Sequence, residues 1–179
     1  MVIRNEPYFL LRIRLKILIL LIANSAAVPV EQAGEDLWQK RKVLKQALRR
    51  IFIMQHGRIA VPSLDAGGLD GKRAGHFGHC DVFTLVDVKE GEITKVTTIP
   101  NQTHVQGGCM VPVNLLASHN VNSLIVGGIG MRPLMGFRQV GIDVYYDAVR
   151  PEIKSVVDDL IAGNLPLIGD NQVCGGGGA

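Results

Sequence analysis

Histidine and cysteine side chains are concentrated in two loops that contain glycine, and they are the residues of this sequence best suited to chemistry. The first loop contains His76, His79 and Cys80, and the second contains His104 and Cys109. Imidazole and thiolate groups together bind soft and borderline metals, including zinc, copper, iron–sulfur and molybdenum–sulfur species. Neither loop contains a Cys-x-x-Cys or a His-Glu-x-x-His motif. The two loops therefore predict metal binding of a kind that differs from a standard zinc finger or metalloprotease.

Glycines beside these residues would let a bulky ligand approach the backbone. They lie in the second loop and in a third loop that leads into a predicted helix: Gly107, Gly108, Gly127, Gly128 and Gly130. Backbone N–H groups in such loops can donate hydrogen bonds to sulfide or to an oxyanion. Arg132 follows at the predicted helix start, where it is available to an anionic ligand. A phosphate cradle and a tight strand-to-helix turn are alternatives, although the third loop matches neither Gly-x-Gly-x-x-Gly nor a Walker sequence.

The third cysteine, Cys174, lies in a glycine-rich carboxy-terminal segment. Three cysteines at wide, irregular spacing do not form a disulfide framework, so they are free thiols, buried apolar side chains or metal ligands. We expect residues 169–179 to be a flexible tail that folds over a ligand held by the two loops. The remaining histidine of the body, His119, lies at a predicted helix end, where a capping role is the simplest explanation.

Alternating strands and helices are predicted to hold these loops. The predicted strands are residues 58–62, which stop at Pro62, then 82–88, 93–99, 123–126 and 142–146. Strands 82–88 and 93–99 form a hairpin through Glu90-Gly91. The predicted helices are residues 112–119, 131–140, which ends at Gly141, and 153–162. This pattern predicts a single α/β domain with a mixed five-stranded sheet and helices on its faces. The loops are then expected to meet at the carboxyl ends of the parallel strands.

The charge of the chain is divided between two parts of opposite sign. The 179 residues carry a net charge of +3, but residues 1–56 have ten Lys and Arg against four acids, a net of +6. Residues 57–179 have nine basic and twelve acidic residues, a net of −3. Because the body is acidic and only 5% of the chain is aromatic, we expect no nucleic-acid partner.

The basic leader, residues 1–56, has three alternative interpretations. Its uninterrupted apolar run, residues 17–23, is too short to span a bilayer, for which about 20 residues are needed. Basic residues, the apolar run and Ser25-Ala26-Ala27 resemble a secretory signal, whereas residues 31–52 predict a basic amphipathic helix that docks on an acidic surface. The third interpretation is an over-long start, since Met54 stands directly before the first predicted strand. Membrane contact is expected only if the leader belongs to the working protein.

An ordered series of motifs resembles the dinitrogenase iron–molybdenum cofactor biosynthesis family over about residues 57–168. The motifs are Arg58-Ile-Ala-Val-Pro, His76-Phe-Gly-His, Phe83-Thr-Leu-Val-Asp-Val, Gly107-Gly-Cys, Ile125-Val-Gly-Gly-Ile-Gly-Met-Arg-Pro and Val140-Gly-Ile-Asp-Val-Tyr. The family includes small nitrogenase-cofactor carriers and the molybdenum–copper orange protein. Its His-Phe-Gly motif matches His76-Phe77-Gly78, and some members end in a Cys/Gly-rich tail like the one around Cys174.

This resemblance implies a ribonuclease H-like fold without the nuclease carboxylates. It also implies non-catalytic, cytoplasmic binding or carriage of a metal–sulfur cluster or its precursor, of the iron–molybdenum or molybdenum–copper type. The expected partners are the cluster and a cluster-assembly or ATPase protein. The predicted metal ligands are His76, His79, Cys80, His104, Cys109 and Cys174.

Two other functions remain open from the residues. One is a regulatory interaction module without an obligatory metal. The other is a thiol-dependent redox enzyme, in which Cys80 with His79, or Cys109 with His104, forms a thiolate–imidazolium pair. Because the sequence has no nucleophile elbow, no obvious carboxylate pair and no third group to orient such a dyad, we do not expect an enzyme.

Overall fold

The computed structural model describes residues 34–101 and 110–174. The chain divides into two compact units, Met1–Arg49 and Arg50–Ala179. Helix α1, Gly34–Gln55, begins in the first unit and ends in the second. The predicted helix over residues 31–52 is confirmed from residue 34 onward. Within the described residues, no helix has both the length and the apolar composition needed to span a bilayer.

The second unit contains a mixed five-stranded sheet, as the sequence predicts. Its strands are β1 His56–Ser63, β2 Val82–Lys89, β3 Glu92–Pro100, β4 Ser123–Val126 and β5 Asp143–Tyr146. The order across the sheet is β3-β2-β1-β4-β5. The β1–β2 and β2–β3 pairs are antiparallel, whereas β1–β4 and β4–β5 are parallel. The parallel half therefore places the ends of β1 and β4 at the same edge.

The predicted hairpin between β2 and β3 is confirmed. Lys89 pairs with Glu92, so the loop has two residues, Glu90 with φ 56° and Gly91 with φ 78°. Two successive residues in the left-handed region make a type I′ turn, whose twist matches that of the adjoining strands.

The first strand is longer than the sequence predicts: it begins two residues earlier, at His56, and continues one residue past Pro62, to Ser63. Pro62 is in register with Phe83 of β2. On its other side, β1 pairs with β4 only at Ile59 and Ala60. Beyond Ala60, β1 no longer pairs with β4. Because Pro62 lies in this unpaired part, its missing N–H removes no hydrogen bond from the β1–β4 pair. The Pro62 carbonyl accepts the Ala74 N–H at 2.8 Å, which joins the end of β1 to the loop that contains His76.

Three further helices cover the sheet: α2 Val111–Ser118, α3 Met131–Val140 and α4 Ile153–Ile161. Gly141, at φ 78°, ends α3 as predicted. His119 caps α2: its backbone N–H donates to the Leu115 carbonyl, and its Nδ1 lies 2.8 Å from the same oxygen. The capping role predicted for His119 is therefore confirmed.

An aromatic cluster in the core fixes the loop that contains the first histidines. Phe77 is 3% exposed and packs edge-to-face against Phe137 of α3, with ring centroids 5.2 Å apart. It also contacts Phe83 of β2, at 5.7 Å between centroids. Burying a phenylalanine contributes about 1.5–3 kcal/mol. Phe77 therefore anchors the loop, and its neighbour His76 is held at a defined place on the surface.

Candidate functional site

An open cavity of about 310 Å³ lies where the loops after β1 and β4 meet the starts of α2 and α3. Its walls are His76, Phe77, Gly78, His79, Pro112, Gly128, Ile129, Gly130, Pro133 and Cys174. The first and third loops predicted from the sequence therefore lie together, beside the start of the helix that contains Pro112. The tail residue Cys174 joins them.

His76 and Cys174 form a close imidazole–thiol pair in this cavity. The His76 Nδ1 and the Cys174 Sγ lie 3.4 Å apart, although 98 residues separate them in the chain. In a tetrahedral zinc site, bond lengths of about 2.05 Å to nitrogen and about 2.3 Å to sulfur place these two atoms about 3.5 Å apart. The separation is that of a thiol–imidazole hydrogen bond, and it is also close to the distance between two ligands of one tetrahedral metal centre.

The backbone of the glycine loop fixes both members of the pair. The Phe77 N–H donates to the Gly128 carbonyl at 2.8 Å, and the Cys174 N–H donates to the Ile129 carbonyl at 3.0 Å. Gly130 and Cys174 also form an isolated parallel bridge. Phe77, which follows His76, and Cys174 are therefore both positioned by hydrogen bonds to two consecutive carbonyl groups.

A side chain at position 128 would overlap the His76–Cys174 pair. A Cβ atom at this position would lie 2.9 Å from the Cys174 Sγ and 2.9 Å from the His76 Nδ1. Gly128 has no left-handed φ that would by itself demand glycine. Glycine is therefore favoured at this position for a steric reason, namely the close approach of His76 and Cys174.

The carboxy-terminal segment reaches the cavity along the free edge of β5. The Ile168 N–H donates to the Val144 carbonyl at 2.9 Å, and Leu167 pairs with Tyr145 in an isolated antiparallel bridge. Asp170 then accepts a hydrogen bond from Arg138 of α3 at 2.8 Å. Residues 165–174 are thus docked on the sheet and on α3, and only residues 175–179 of the predicted flexible tail lie outside the described residues.

The other two predicted ligands of the first loop have different surroundings. The exposed His79 lines the cavity, with its ring perpendicular to that of His76 and 6.4 Å away between centroids. Cys80 is only 8% exposed, belongs to the hydrophobic core and does not line the cavity. Burial raises the pKa of its thiol to about 11, which disfavours the thiolate that a metal would bind. The structure therefore groups His79, but not Cys80, with the His76–Cys174 pair.

Other predicted site residues either lie outside the described residues or do not line the cavity. Four lie outside the described residues: His104, Gly107, Gly108 and Cys109. Arg132 is exposed on α3 and does not line the cavity, whereas Gly127 lies directly behind it, beside Gly128. Within residues 34–101 and 110–174, no three His, Cys, Asp or Glu side chains are grouped so as to hold a metal ion. Of the metal ligands predicted from the sequence, the described residues bring together His76 and Cys174, with His79 nearby.

Arg73 is a residue of this region that the sequence analysis missed. It is 8% exposed, and its guanidinium donates to the carbonyls of Ala74 at 3.1 Å and Arg150 at 3.1 Å. Its Nη1 occupies the place where a Cβ of Gly127 would be. An arginine within a glycine-rich loop is ordinarily taken as a surface residue, so only the close approach of Gly127 reveals it.

The fold and this site define a class: a small α/β domain with a mixed sheet and a cavity at one sheet edge. The model of the dinitrogenase iron–molybdenum cofactor family matches residues 57–163. An uncharacterized protein of Methanocaldococcus jannaschii is 35% identical over 101 residues, which cover 55% of this chain and 80% of that protein. The chain therefore belongs to the dinitrogenase iron–molybdenum cofactor family, and the resemblance seen in the sequence is confirmed.

Solved structures share the fold. The apo form of the orange protein from Desulfovibrio gigas is 25% identical, with a TM-score of 0.57, and the match covers 63% of this chain and 93% of that one. The protein PH0822 is 27% identical, with a TM-score of 0.53 and coverage of 63% and 97%. These comparisons agree with the mixed α/β fold of the second unit.

Proposed function

We propose that this protein binds and carries a metal–sulfur cluster, or a precursor of one, without catalysing a reaction. The observation that supports the proposal is the His76–Cys174 pair, set 3.4 Å apart over Gly128 in an open cavity. Imidazole and thiolate are ligands for soft and borderline metals. A family named for the iron–molybdenum cofactor makes a metal–sulfur cargo the chemical class that suits these ligands.

The dimensions of the cavity favour a cluster over a single ion. Its volume of about 310 Å³ is far more than one metal ion occupies. Two protein ligands complete only half of a tetrahedral coordination sphere, and a cluster supplies the remaining sulfides itself. His79 on the cavity wall, and His104 and Cys109 of the second loop, are the further ligands that the sequence predicts.

An open cavity with few protein ligands suits a carrier. A cargo that must be received and passed on is held best by ligands that are accessible from solvent, and His76 is exposed while Cys174 is half-buried. The cargo would be of the iron–molybdenum or molybdenum–copper type. A cluster-assembly protein or an ATPase is the kind of partner that would supply or receive it.

The test is metal and sulfide analysis of the protein purified without oxygen. His76→Ala and Cys174→Ser are expected to lower the bound metal and sulfide several-fold, because each removes one of two described ligands. His56→Ala and Cys80→Ala are the matched controls, since His56 is exposed at the start of β1 and Cys80 is in the core. Equal metal content in the site variants and the controls would refute the proposed site.

The two alternative functions are tested by other measurements on the same variants, namely partner capture and turnover. A regulatory module would capture its partner equally well with or without metal. A redox enzyme would lose turnover after a single Cys→Ser change at its nucleophile. The buried thiol of Cys80, with its raised pKa, makes that cysteine a poor nucleophile.

A further inference from the structure

A buried arginine packs against Gly127, the residue before the cavity-lining Gly128. Arg73 is 8% exposed, and its guanidinium fills the space beside Gly127 that a side chain would otherwise take. The next residue, Gly128, lines the cavity and contacts the His76–Cys174 pair. The guanidinium of Arg73 therefore contacts the residue that precedes Gly128, and Gly128 contacts the pair that would bind the cargo.

The positive charge of Arg73 is only partly compensated. Its hydrogen bonds go to the carbonyl oxygens of Ala74 and Arg150, and the ion pairs among the described residues do not include it. The nearby Asp147 carboxylate accepts hydrogen bonds from the backbone of Val149 and from both the backbone and the side chain of Arg150. Burial lowers the pKa of Arg73, and Asp147 opposes that shift. An arginine nevertheless stays protonated, and burial leaves its charge less screened than that of a surface arginine.

From this arrangement we infer that Arg73 is a specificity residue, whose buried charge makes the cavity select an anionic, sulfide-rich cargo over a bare metal cation. The inference rests on the proposed function and specifies the charge of its cargo. A thiometallate or a sulfide-bridged cluster is an anion, whereas a free Zn²⁺ or Cu⁺ ion is a cation. The same guanidinium charge attracts the first and repels the second.

Two substitutions separate the charge of Arg73 from its structural role. Arg73→Lys keeps a positive charge but loses the planar fork of donors, whereas Arg73→Gln keeps a donor and loses the charge. Two probes report on the cavity of the full chain under anaerobic conditions: tetrathiomolybdate, which is an anion, and Zn²⁺, which is a cation. Because Zn²⁺ would use His76 and Cys174 directly, its binding also shows that the cavity is still formed.

The charge effect predicts opposite responses to the two probes. In Arg73→Gln, tetrathiomolybdate is expected to bind at least about tenfold more weakly, while Zn²⁺ binds as in the wild type or more tightly. In Arg73→Lys, tetrathiomolybdate binding is expected to stay within about threefold of the wild type. Equal losses of both probes in both variants would show that Arg73 only braces the loops, and unchanged tetrathiomolybdate binding in Arg73→Gln would equally overturn the inference. If the wild-type chain itself binds no tetrathiomolybdate, the proposed function fails together with it.

Discussion

Replacing Gly128 by alanine should weaken metal binding at the proposed His76–Cys174 site while leaving the fold intact. The added methyl group would lie 2.9 Å from the Cys174 Sγ and 2.9 Å from the His76 Nδ1. Van der Waals contacts to carbon are comfortable at about 3.5–4.0 Å, so each of these atoms must retreat by about 0.6 Å or more. The pair would then open beyond the separation of about 3.5 Å that a tetrahedral centre requires.

The two effects of this substitution can be estimated separately. Metal affinity should fall roughly 10–100-fold, the range seen when a group that orients a ligand is lost. Stability should change by less than about 1 kcal/mol, because alanine tolerates this backbone and restricts the unfolded chain. His76 is exposed and Cys174 is half-buried, so both side chains can move aside. The assay is Zn²⁺ titration together with urea unfolding of the same preparations.

Neighbouring glycines provide matched controls in the same loop. A Cβ at Gly130 would meet the Pro133 Cδ at 3.7 Å, an ordinary contact, so Gly130→Ala should retain both binding and stability. A Cβ at Gly127 would meet the guanidinium of Arg73 and lie 2.8 Å from the Gly75 carbonyl oxygen, so Gly127→Ala should destabilise the fold by about 1–3 kcal/mol. Wild-type Zn²⁺ affinity in Gly128→Ala would refute the steric argument and the pair as a ligand set.

Two further predictions concern groups outside the cavity. The Asp87 carboxylate accepts hydrogen bonds from Arg58 at 2.6 and 3.0 Å, which hold the pKa of Asp87 below its usual value. This stabilisation is therefore present above the ordinary Asp pKa of about 4 and is lost as the pH falls through the lower pKa of the folded state. Asp87→Asn should lower the free energy of unfolding by about 1 kcal/mol at pH 7, with a smaller difference in acid, in urea titrations at several pH values; a difference independent of pH would contradict it. With a pKa of about 11, only about 0.1% of the Cys80 thiol is thiolate at pH 8. Iodoacetamide should therefore leave Cys80 unmodified in the folded protein and alkylate it in urea. Mass spectrometry of the peptide that contains Cys80 measures both outcomes. Rapid labelling of Cys80 before unfolding would show that the thiol is not buried.

Local sequence signals predict the elements of this fold well, because hydrophobic periodicity and turn residues act over short distances. The hairpin at Glu90-Gly91 and the helix end at Gly141 both follow from the backbone freedom of glycine and its neighbours. The predicted strand at residues 58–62 is confirmed, but β1 continues one residue past Pro62, since whether a proline ends a strand depends on its neighbours in the sheet. Those neighbours are set by the strand order, which the local pattern does not contain.

The candidate site is less predictable, because residues that are adjacent in the chain point in different directions. His79 and Cys80 are consecutive, yet His79 lines the cavity and Cys80 is in the core. The buried position of Arg73 depends on the close approach of Gly127, 54 residues further along the chain. Composition points to histidine and cysteine, but only tertiary packing separates the residues that face the cavity from those that support it.

The precision of the His76–Cys174 pair has a simple origin in the glycine loop. If two side chains were held by two independent loops, the distance between them would vary with the movement of each loop. Here Phe77, the neighbour of His76, donates a hydrogen bond to the Gly128 carbonyl. Cys174 donates one to the next carbonyl, that of Ile129. The separation of the pair thus depends on one short segment, whose peptide geometry is rigid. The same segment lies against Arg73 on its other side, so one loop sets both the ligand geometry and the charge behind the cavity.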